Sequence, residues 1–324
     1  MNTVAGWPAG GTDKVGLVQM NLGYAVSRIL DHYTYLEPRH VSARLRYCTF
    51  VSIPRRYMYF EVPKAGSTGM KWLLHSLENQ ARPVTWHPSE TRRERFIHGR
   101  GNIPLPSLVD LDNNEQRNVL ESPEMFRMVI VRNPYSRLLS TWRNKVVLCE
   151  PGFEQIYIDL LGRLPQPQSK PHIPFSEFVR YLANSDLRTG NPHWRLQTEH
   201  VFYAAMNFSC LCKLEHLGDG LRQFQLHLGL SEPLRLSEKN TSAGFRDQGL
   251  DSTMANRIYD LYRADFDTFG YDPTTWRFYE KVGTENISED VFRDELIERN
   301  IIIAHLSAYL RQLLSARNSR RSGS

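Results

Sequence analysis

The sequence predicts a three-layer α/β fold in which a central parallel sheet is flanked by helices. Short apolar runs rich in β-forming residues alternate along the chain with stretches of helical spacing. Strands that alternate with helices favour parallel pairing, because each helix crosses over one face of the sheet. The 324 residues, 41% hydrophobic and 23% charged, are sufficient to bury a sizeable core.

Each element follows from its local pattern. Strands are predicted at residues 57–62, at residues 126–131 and within residues 207–218. Helices are predicted over residues 14–35, 69–79, 135–147, 175–184, 220–230, 252–271 and 289–317. The segments interpreted as irregular are a long, polar and basic excursion at residues 81–117 and a loop or substrate-side insertion at residues 149–174.

Three regions are expected along the chain. They are an N-terminal extension with a helix (residues 1–50), a main domain (residues 51–283), and a C-terminal amphipathic helix with a basic tail (residues 284–324). The apolar stripe of the last helix consists of Phe292, Leu296, Ile303, Leu306, Leu310 and Leu313. This stripe predicts docking either on the body of the protein or on a partner, which would make the chain an oligomer.

Charge and hydropathy limit the kinds of molecule that the chain is expected to bind. The net charge of +5 is compatible with an anionic ligand, and no nucleic acid is expected. Because no run reaches the roughly 18 apolar residues of a membrane span, we expect no stable membrane insertion. The N-terminus lacks the pattern of a signal peptide, so a cytoplasmic location is predicted. Cys210 and Cys212 alternate onto one face of a strand, where buried free thiols are favoured over a metal pair.

The first motif that carries chemistry is residues 63–68 (PKAGST), between a strand and a helix. Glycine permits a tight turn whose N–H groups face an anion, and the following helix adds its positive N-terminal end. Lys64 contributes a mobile charge, while Ser67 and Thr68 contribute hydroxyl donors. The spacing is not that of a Walker loop, because the lysine precedes the glycine. The alternative interpretation is an ordinary turn with a surface lysine.

The second motif follows the strand at residues 126–131. Arg132 stands at the strand end, Asn133 can cap the next helix, and Pro134 suits its first position. Ser140 lies nearly two turns inside that helix, on the side that could share a phosphate with Arg132. An ATP-dependent phosphotransferase would usually have a magnesium-binding aspartate after this strand. Two anion sites without a metal carboxylate suit a nucleotide phosphorylated at both ends, and no metal is expected.

These residues resemble a known family. Residues 63–72 (PKAGSTGMKW) resemble the 5′-phosphosulfate-binding loop of carbohydrate sulfotransferases, and residues 128–145 (MVIVRNPYSRLLSTWRNK) resemble their 3′-phosphate-binding segment. The segments similar to later blocks of the enzymes that sulfate chondroitin, dermatan and HNK-1-type glycans are NPHWRLQT (residues 191–198), KLEHL (residues 213–217) and YDLYRADFDTFGY (residues 259–271). The resemblance implies a P-loop-like fold, a sulfotransferase domain at residues 51–283, and a location in the Golgi lumen only if an anchor has been removed.

The resemblance also implies roles for single residues. The co-substrate would be 3′-phosphoadenosine 5′-phosphosulfate (PAPS), with Lys64 in contact with the leaving phosphate. The residues implied to hold the 5′ end are Lys64, Ala65, Gly66, Ser67, Thr68 and Gly69. Arg132 and Ser140 would hold the 3′-phosphate. Lys71 is either a second contact or an exposed lysine, and residues 240–242 (NTS) either close over the nucleotide or form a surface turn.

The resemblance implies that the acceptor hydroxyl belongs to a carbohydrate, and removal of its proton needs a general base. Histidine is the natural choice near neutral pH. His98, in residues 94–102 (ERFIHGRGN), and His193 are the two candidates. Either could instead be a structural histidine, with a glutamate or another histidine as the base.

Two rival functions are compatible with the residues. The first is a P-loop nucleotide kinase or other phosphotransferase, which would require ATP and magnesium. The second is a non-catalytic sulfotransferase-like protein that binds nucleotide or glycan as a scaffold. An intact set of Lys64, Arg132 and Ser140 favours an enzyme over a degenerate site.

Overall fold

The computed structural model of the chain describes residues 22–79, 97, 99–166, 173–236, 250–279 and 290–321. Within these residues the strands form one sheet in the order β1-β2-β3-β4, with β1 at Thr49–Ser52, β2 at Tyr57–Phe60, β3 at Phe126–Val131 and β4 at Cys210–Lys213. The last three strands pair in parallel, whereas β1 pairs antiparallel with β2. The predicted α/β class with a largely parallel sheet is confirmed, and β1 is an addition that the sequence pattern missed.

The helices alternate with the strands as expected. In the described part of the chain the α-helices are α1 Tyr24–His32, α2 Pro38–Cys48, α3 Ser67–Glu78, α4 Asn113–Glu121, α5 Pro134–Thr141, α6 Glu154–Leu161, α7 Phe175–Ala183, α8 Gln197–His200, α9 Leu217–His227, α10 Ser252–Phe269 and α11 Asp290–Arg321. None of them, over the residues described, is both long and apolar enough to cross a bilayer. The helices predicted after each parallel strand are present as α3, α5 and α9.

Two segments interpreted as irregular contain short helices. The excursion at residues 81–117 runs into α4, which has nine residues, and the loop at residues 149–174 contains the eight-residue α6. The side chain of Asp112 caps α4 by accepting hydrogen bonds from the backbone N–H groups of Asn114 and Glu115. Helices this short depend on packing against the rest of the protein, so their own apolar spacing is a weak signal.

Two predicted helices have different limits in the structure. The helix predicted over residues 135–147 begins at Pro134, and its last part is a π-helical turn at Trp142–Val147. Of the helix predicted over residues 14–35, the described part is α1. The boundaries proposed at residues 50 and 283 stay predictions, although β1 crosses the first of them.

The sheet lies at the centre of the core. Every residue of β1 and β2 is buried, whereas β4 alternates between buried and half-buried residues. Cys210 and Cys212 are the buried residues of β4, and both are free thiols. The prediction of buried thiols on one face of a strand is therefore confirmed.

The parallel pairing of β2 with β3 determines where the candidate site lies. Phe60 near the end of β2 is paired with Val129 of β3. Because the strands are parallel, their carboxyl ends reach the same edge of the sheet, and the loops that follow begin side by side. This edge therefore carries both anion-binding motifs.

Candidate active site

The loop after β2 has the backbone geometry of a tight anion-binding turn. Lys64 (φ +67°) and Gly66 (φ +78°) both have left-handed backbone conformations. A left-handed lysine is uncommon, and residues held in this way cluster at functional sites. At Gly66, a Cβ atom would lie 2.9 Å from Cδ1 of Leu214, so the position also requires glycine for space.

The loop leads directly into the amino end of α3. Gly66 is the residue that precedes the first turn of α3 and has no side chain with which to cap it. The first N–H groups of a helix have no partner within the helix, and they attract anions. Ser67 is buried in this first turn, and Thr68 is half-buried beside it. Gly69 passes close to Leu236, since a Cβ there would lie 3.3 Å from that side chain.

Lys71 stabilises this loop through a buried ion pair. Its Nζ atom lies 2.8 Å from Oε1 of Glu61, and the two side chains are 2% and 6% exposed. Glu61 directly follows β2 and Lys71 lies in the second turn of α3, so the ion pair joins the two ends of the loop. The alternative of an exposed lysine is wrong, because the face of α3 that carries Lys71 also carries the buried Ser67 and Leu74.

Arg132 links the two motifs directly. Its Nη1 group donates a hydrogen bond of 3.1 Å to the backbone carbonyl of Lys64, 68 residues earlier in the chain. Its Nε group donates to Oγ of Ser136 at 2.9 Å. Burial lowers the pKa of the Arg132 guanidinium, while the carboxylate of Glu215 acts in the opposite direction. An arginine remains protonated under these conditions, so the loop is backed by a fixed positive charge.

The hydroxyl that contacts Arg132 is not the one that the sequence suggested. Ser136, in the first turn of α5, accepts the hydrogen bond. Ser140 is buried one turn further along α5 and makes no side-chain hydrogen bond to a described residue. Arg132 lies before α5 begins, so helical spacing did not indicate this contact, and the closeness of the two residues in the sequence was the only available signal. The role of Ser140 stays a prediction.

Arg137 is a structural residue that sequence reasoning missed. It is 1% exposed, and its guanidinium donates to the backbone carbonyls of Pro63 (3.1 Å), Arg195 (2.8 Å) and Pro192 (2.9 Å). It therefore connects the first loop, the second motif and the NPHWR segment. In the sequence it is one arginine among many, and only the three-dimensional contacts reveal its position.

The carboxyl end of β3 is held by a buried amide and a buried carboxylate. Gln197 exchanges two hydrogen bonds with the backbone of Arg132, at 2.9 and 2.8 Å. Asp265 of α10 accepts from the backbone N–H groups of Gln197 (2.8 Å) and Thr198 (2.9 Å). Burial raises the pKa of the Asp265 carboxyl, although these N–H donors act to lower it. Gln197 and Asp265 belong to two of the segments that resemble the carbohydrate sulfotransferases. These segments therefore fix the backbone of Arg132 at the end of β3.

Glu215 connects the segment after β4 to the amino end of α5. Its Oε1 atom accepts from the backbone N–H of Asn133 at 2.9 Å, and its Oε2 atom accepts from the hydroxyl of Tyr271 at 3.2 Å. Asn133 caps α5 as predicted, because its Oδ1 atom accepts from the backbone N–H of Tyr135 at 3.0 Å. Side-chain oxygens therefore already occupy two N–H groups at this helix start.

Positive charge also lies in the interior behind the first loop. The buried arginines there are Arg44, Arg137 and Arg195. Burial, and then the charge of Arg44, lowers the pKa of the Arg195 guanidinium to about 9. Burial and the neighbouring arginines hold the pKa of His200 well below its usual value, so this histidine is neutral. Nε2 of His200 lies 3.0 Å from the backbone carbonyl of Glu61, just before the loop. Because these arginines act electrostatically on His200, the arginine cluster lies close to the loop as well.

His193 is the candidate base whose surroundings are described. Oδ1 of Asn191 accepts from the backbone N–H of His193 at 3.0 Å and lies 2.9 Å from its Nδ1 atom. An oxygen at that distance requires a proton on Nδ1, which leaves Nε2 as the basic nitrogen. The ring is half-buried against Phe153, with 5.0 Å between ring centres. His98 and residues 240–242 lie outside the described residues.

The site contains arginine and lysine rather than metal ligands. Across the described ranges, no group of three or more His, Cys, Asp or Glu side chains is arranged to hold a metal ion. The guanidinium groups of Arg132 and the buried Arg137 both bond to backbone carbonyls of the first loop, at Lys64 and Pro63. Such an arrangement can bind phosphate or sulfate groups and stabilise negative charge that develops on them.

Comparison with known proteins identifies what the chain is similar to. A family model described as "Sulfotransferase family" matches residues 49–272. Carbohydrate sulfotransferase 10 of Xenopus laevis is 25% identical over 254 residues, which cover 71% of this chain and 68% of the relative. Carbohydrate sulfotransferase 9 of Homo sapiens is 24% identical over 273 residues, which cover 78% and 55%. Carbohydrate sulfotransferase 14 of Danio rerio is 24% identical over 197 residues, which cover 59% and 51%.

The matched region thus spans between about half and two thirds of these relatives. No solved structure matches the chain significantly.

Proposed function

Because the chain belongs to the sulfotransferase family, we propose that it transfers a sulfuryl group from PAPS to a hydroxyl group of a carbohydrate. The names of the relatives support a carbohydrate acceptor. The family match does not favour a nucleotide kinase or a scaffold protein. The finer features, namely PAPS as the donor and a three-layer, P-loop-like fold, are part of this proposal.

One observation carries the proposal. The guanidinium of Arg132 bonds to the carbonyl of Lys64 at 3.1 Å, so the two anion-binding motifs adjoin at one sheet edge. PAPS has a phosphosulfate at its 5′ end and a phosphate at its 3′ end, and it needs two neighbouring anion sites. The uncapped start of α3 at Gly66 fits the 5′ group. A cationic fork at Arg132 fits the 3′-phosphate.

Each residue has a proposed task in binding the donor. Lys64 contacts the bridging oxygen of the leaving phosphate, where negative charge develops. The residues proposed to hold the 5′ end with Lys64 are Ala65, Gly66, Ser67, Thr68 and Gly69. Arg132 and Ser140 hold the 3′-phosphate, and Ser136 orients the Arg132 guanidinium through their 2.9 Å hydrogen bond.

The chemical step is an in-line displacement at sulfur. The acceptor oxygen forms a bond to sulfur while the bond from sulfur to the bridging oxygen breaks, and 3′,5′-adenosine bisphosphate leaves. The acceptor proton passes to a general base. His193 is the proposed base, with His98 as the alternative. The contact between His193 Nδ1 and Asn191 supports His193, because it leaves Nε2 able to accept a proton.

The proposal is tested by incubating the full chain with ³⁵S-labelled PAPS and a panel of glycans. We expect label in a glycan, and a loss of about 100-fold or more when Lys64→Ala removes the cation at the leaving group. Arg39→Ala is the control, because Arg39 is an exposed cation that pairs only with Glu37 among the ion pairs of the described residues. Equal transfer by Lys64→Ala and Arg39→Ala would refute the role of Lys64.

A second measurement separates the rival functions. Calorimetric titration with 3′,5′-adenosine bisphosphate in the presence of EDTA should give binding, because the proposed site uses only protein cations. Binding of ATP that requires magnesium would instead favour the kinase. Nucleotide binding without transfer to any acceptor, together with unchanged biological activity of Lys64→Ala, would favour the scaffold.

The cytoplasmic location also stays a prediction. Imaging of the full-length protein in its own cells tests it, and co-localisation with a Golgi marker would support the alternative location.

A further inference from the structure

The C-terminal helix α11 rests on the body through one face. Ile297, Ile301 and Ala304 are buried on this face. Asn300 donates from Nδ2 to the carbonyl of Leu148 at 2.7 Å, and Nε2 of His305 lies 2.7 Å from the carbonyl of Pro165. Residues 297–305 are therefore fixed to the segments on either side of α6.

A second apolar face of α11 points away from the body. Ile302, Leu306, Tyr309 and Leu313 are 43%, 57%, 59% and 48% exposed. With about 100° of rotation per residue, these four side chains fall within roughly 60° of one another. The docked face lies on nearly the opposite side of the helix. The predicted stripe is thus not docked on the body at Leu306, Leu310 and Leu313, and its alternative, docking on a partner, stays a prediction.

The spacing of this face is that of a helix pair. The four residues follow one another at intervals of four, three and four, which is the heptad pattern of a coiled-coil seam. Large apolar side chains exposed in one row are uncommon on a monomer and mark an interaction surface. We call Ile302, Leu306, Tyr309 and Leu313 the seam.

Charge along α11 indicates what covers the seam. Residues 290–299 contain four acidic and two basic residues, whereas residues 311–321 contain four arginines and no acidic residue. Two copies of this helix complement each other only when they run antiparallel, since a parallel pair would bring the arginines together. We propose that the chain forms a homodimer in which two α11 helices pair antiparallel through the seam.

The seam is self-complementary in this orientation. Ile302 of one copy faces position 313 of the other, and Leu306 faces position 309, so every layer joins two large apolar side chains. The same register brings sequence position 295, a glutamate, opposite sequence position 320, an arginine. This pairing of opposite charges lies one heptad beyond the outer apolar layer on each side of the two-fold axis.

The pattern favours a second copy over a lipid surface. A helix that lies on a membrane has a broad apolar face and basic residues along its length. The exposed apolar side chains of α11 also include Leu310 and Leu314, so the width of the face does not separate the two kinds of partner, but the acidic residues at 290, 294, 295 and 298 would be repelled by anionic lipids. Vesicle binding is therefore an outcome that the test must exclude.

Sedimentation velocity of the full chain at micromolar concentration tests the proposal. We expect a dimer, and a monomer when Leu306→Glu puts a charge into each central layer. Leu226→Glu is the matched control, because Leu226 is an exposed leucine (69%) of α9, outside the seam. Both variants should keep the wild-type affinity for 3′,5′-adenosine bisphosphate, which shows that they are folded.

A charge exchange tests the orientation. Glu295→Arg alone and Arg320→Glu alone should each weaken the dimer roughly tenfold, since each contact occurs twice, and the double variant should restore it. A monomeric wild-type chain would overturn the proposal, whether or not it sediments with phosphatidylserine vesicles. So would a dimer that Leu306→Glu leaves intact, and failure of the double variant to restore pairing would overturn the antiparallel register.

Discussion

The two loops at the site edge follow parallel strands, yet they offer different groups to the proposed nucleotide. The loop after β2 enters α3 through Gly66, which provides no capping side chain for the first N–H groups of the helix. The loop after β3 enters α5 through Asn133, whose side chain caps the helix. Two backbone N–H groups at that second helix start are already bonded, and the proposed binding group there is the Arg132 side chain.

The two loops are also stabilised differently. The first depends on a left-handed glycine and on the buried ion pair between Glu61 and Lys71, which joins its two ends. The second depends on the hydrogen bond that Oδ1 of Asn133 accepts from the backbone N–H of Tyr135, and on the one that Glu215 accepts from the backbone N–H of Asn133. The first loop is therefore held by residues that flank it directly, whereas the second also depends on Glu215, 82 residues further along the chain. Four substitutions test this difference, in order of decreasing effect.

Replacement of Lys71 should have the largest effect. Lys71→Met leaves the Glu61 carboxylate buried without its cation, which should lower the free energy of unfolding by about 3–5 kcal/mol. Chemical denaturation of wild type and variant measures the change. The double variant Glu61→Gln, Lys71→Met should regain most of the loss, because no buried charge remains. A single variant as stable as wild type would contradict a supporting role for the pair.

Substitution of Gly66 should come next. Gly66→Ala forces a side chain into a left-handed conformation and to within 2.9 Å of Leu214, so we expect a loss of about 1–2 kcal/mol or more in stability. Weaker binding of 3′,5′-adenosine bisphosphate should accompany it. Gly218→Ala is the matched control, since a Cβ at Gly218 meets no atom within 4 Å. Equal effects of the two changes would show that the loop does not require glycine.

Substitution of the two serines of α5, Ser136 and Ser140, should have a smaller effect, which we expect on nucleotide affinity rather than on stability. If Ser140 holds the 3′-phosphate, Ser140→Ala should weaken 3′,5′-adenosine bisphosphate about tenfold and leave the affinity for adenosine 5′-phosphate unchanged. Calorimetry with both nucleotides measures this difference. Ser136→Ala is the comparison, because it removes the hydrogen bond to Arg132. If Ser136→Ala weakens the binding of 3′,5′-adenosine bisphosphate and Ser140→Ala does not, Ser136 rather than Ser140 serves the 3′-phosphate.

The smallest effect is expected for the cap of the second loop. Asn133→Ala removes the oxygen that accepts from the N–H of Tyr135, so the free energy of unfolding should fall by about 1 kcal/mol. Thermal or chemical denaturation detects a change of this size. Asn133→Ser retains a capping oxygen and should lose less. If alanine and serine are equally destabilising, the contact with Thr275 rather than the cap is the important one.

Much of the fold was predictable because its signals are local. The runs that became β2 and β3 are short, apolar and rich in β-forming residues, and Asn133 and Pro134 mark the start of α5. The missed elements lack such signals. β1 is four residues long, and α4 and α6 have nine and eight residues, so these elements depend on contacts with distant parts of the chain.

The sequence by itself determined the sulfotransferase family, the two motifs and the capped start of α5, because each depends on neighbouring residues. Only the tertiary structure decided that Arg132 bonds to the Lys64 carbonyl, that Ser136 orients it, and that Arg137 joins three segments. It also decided which face of α11 is docked. These features join residues far apart in the chain, and local spacing does not record which distant groups fold against one another.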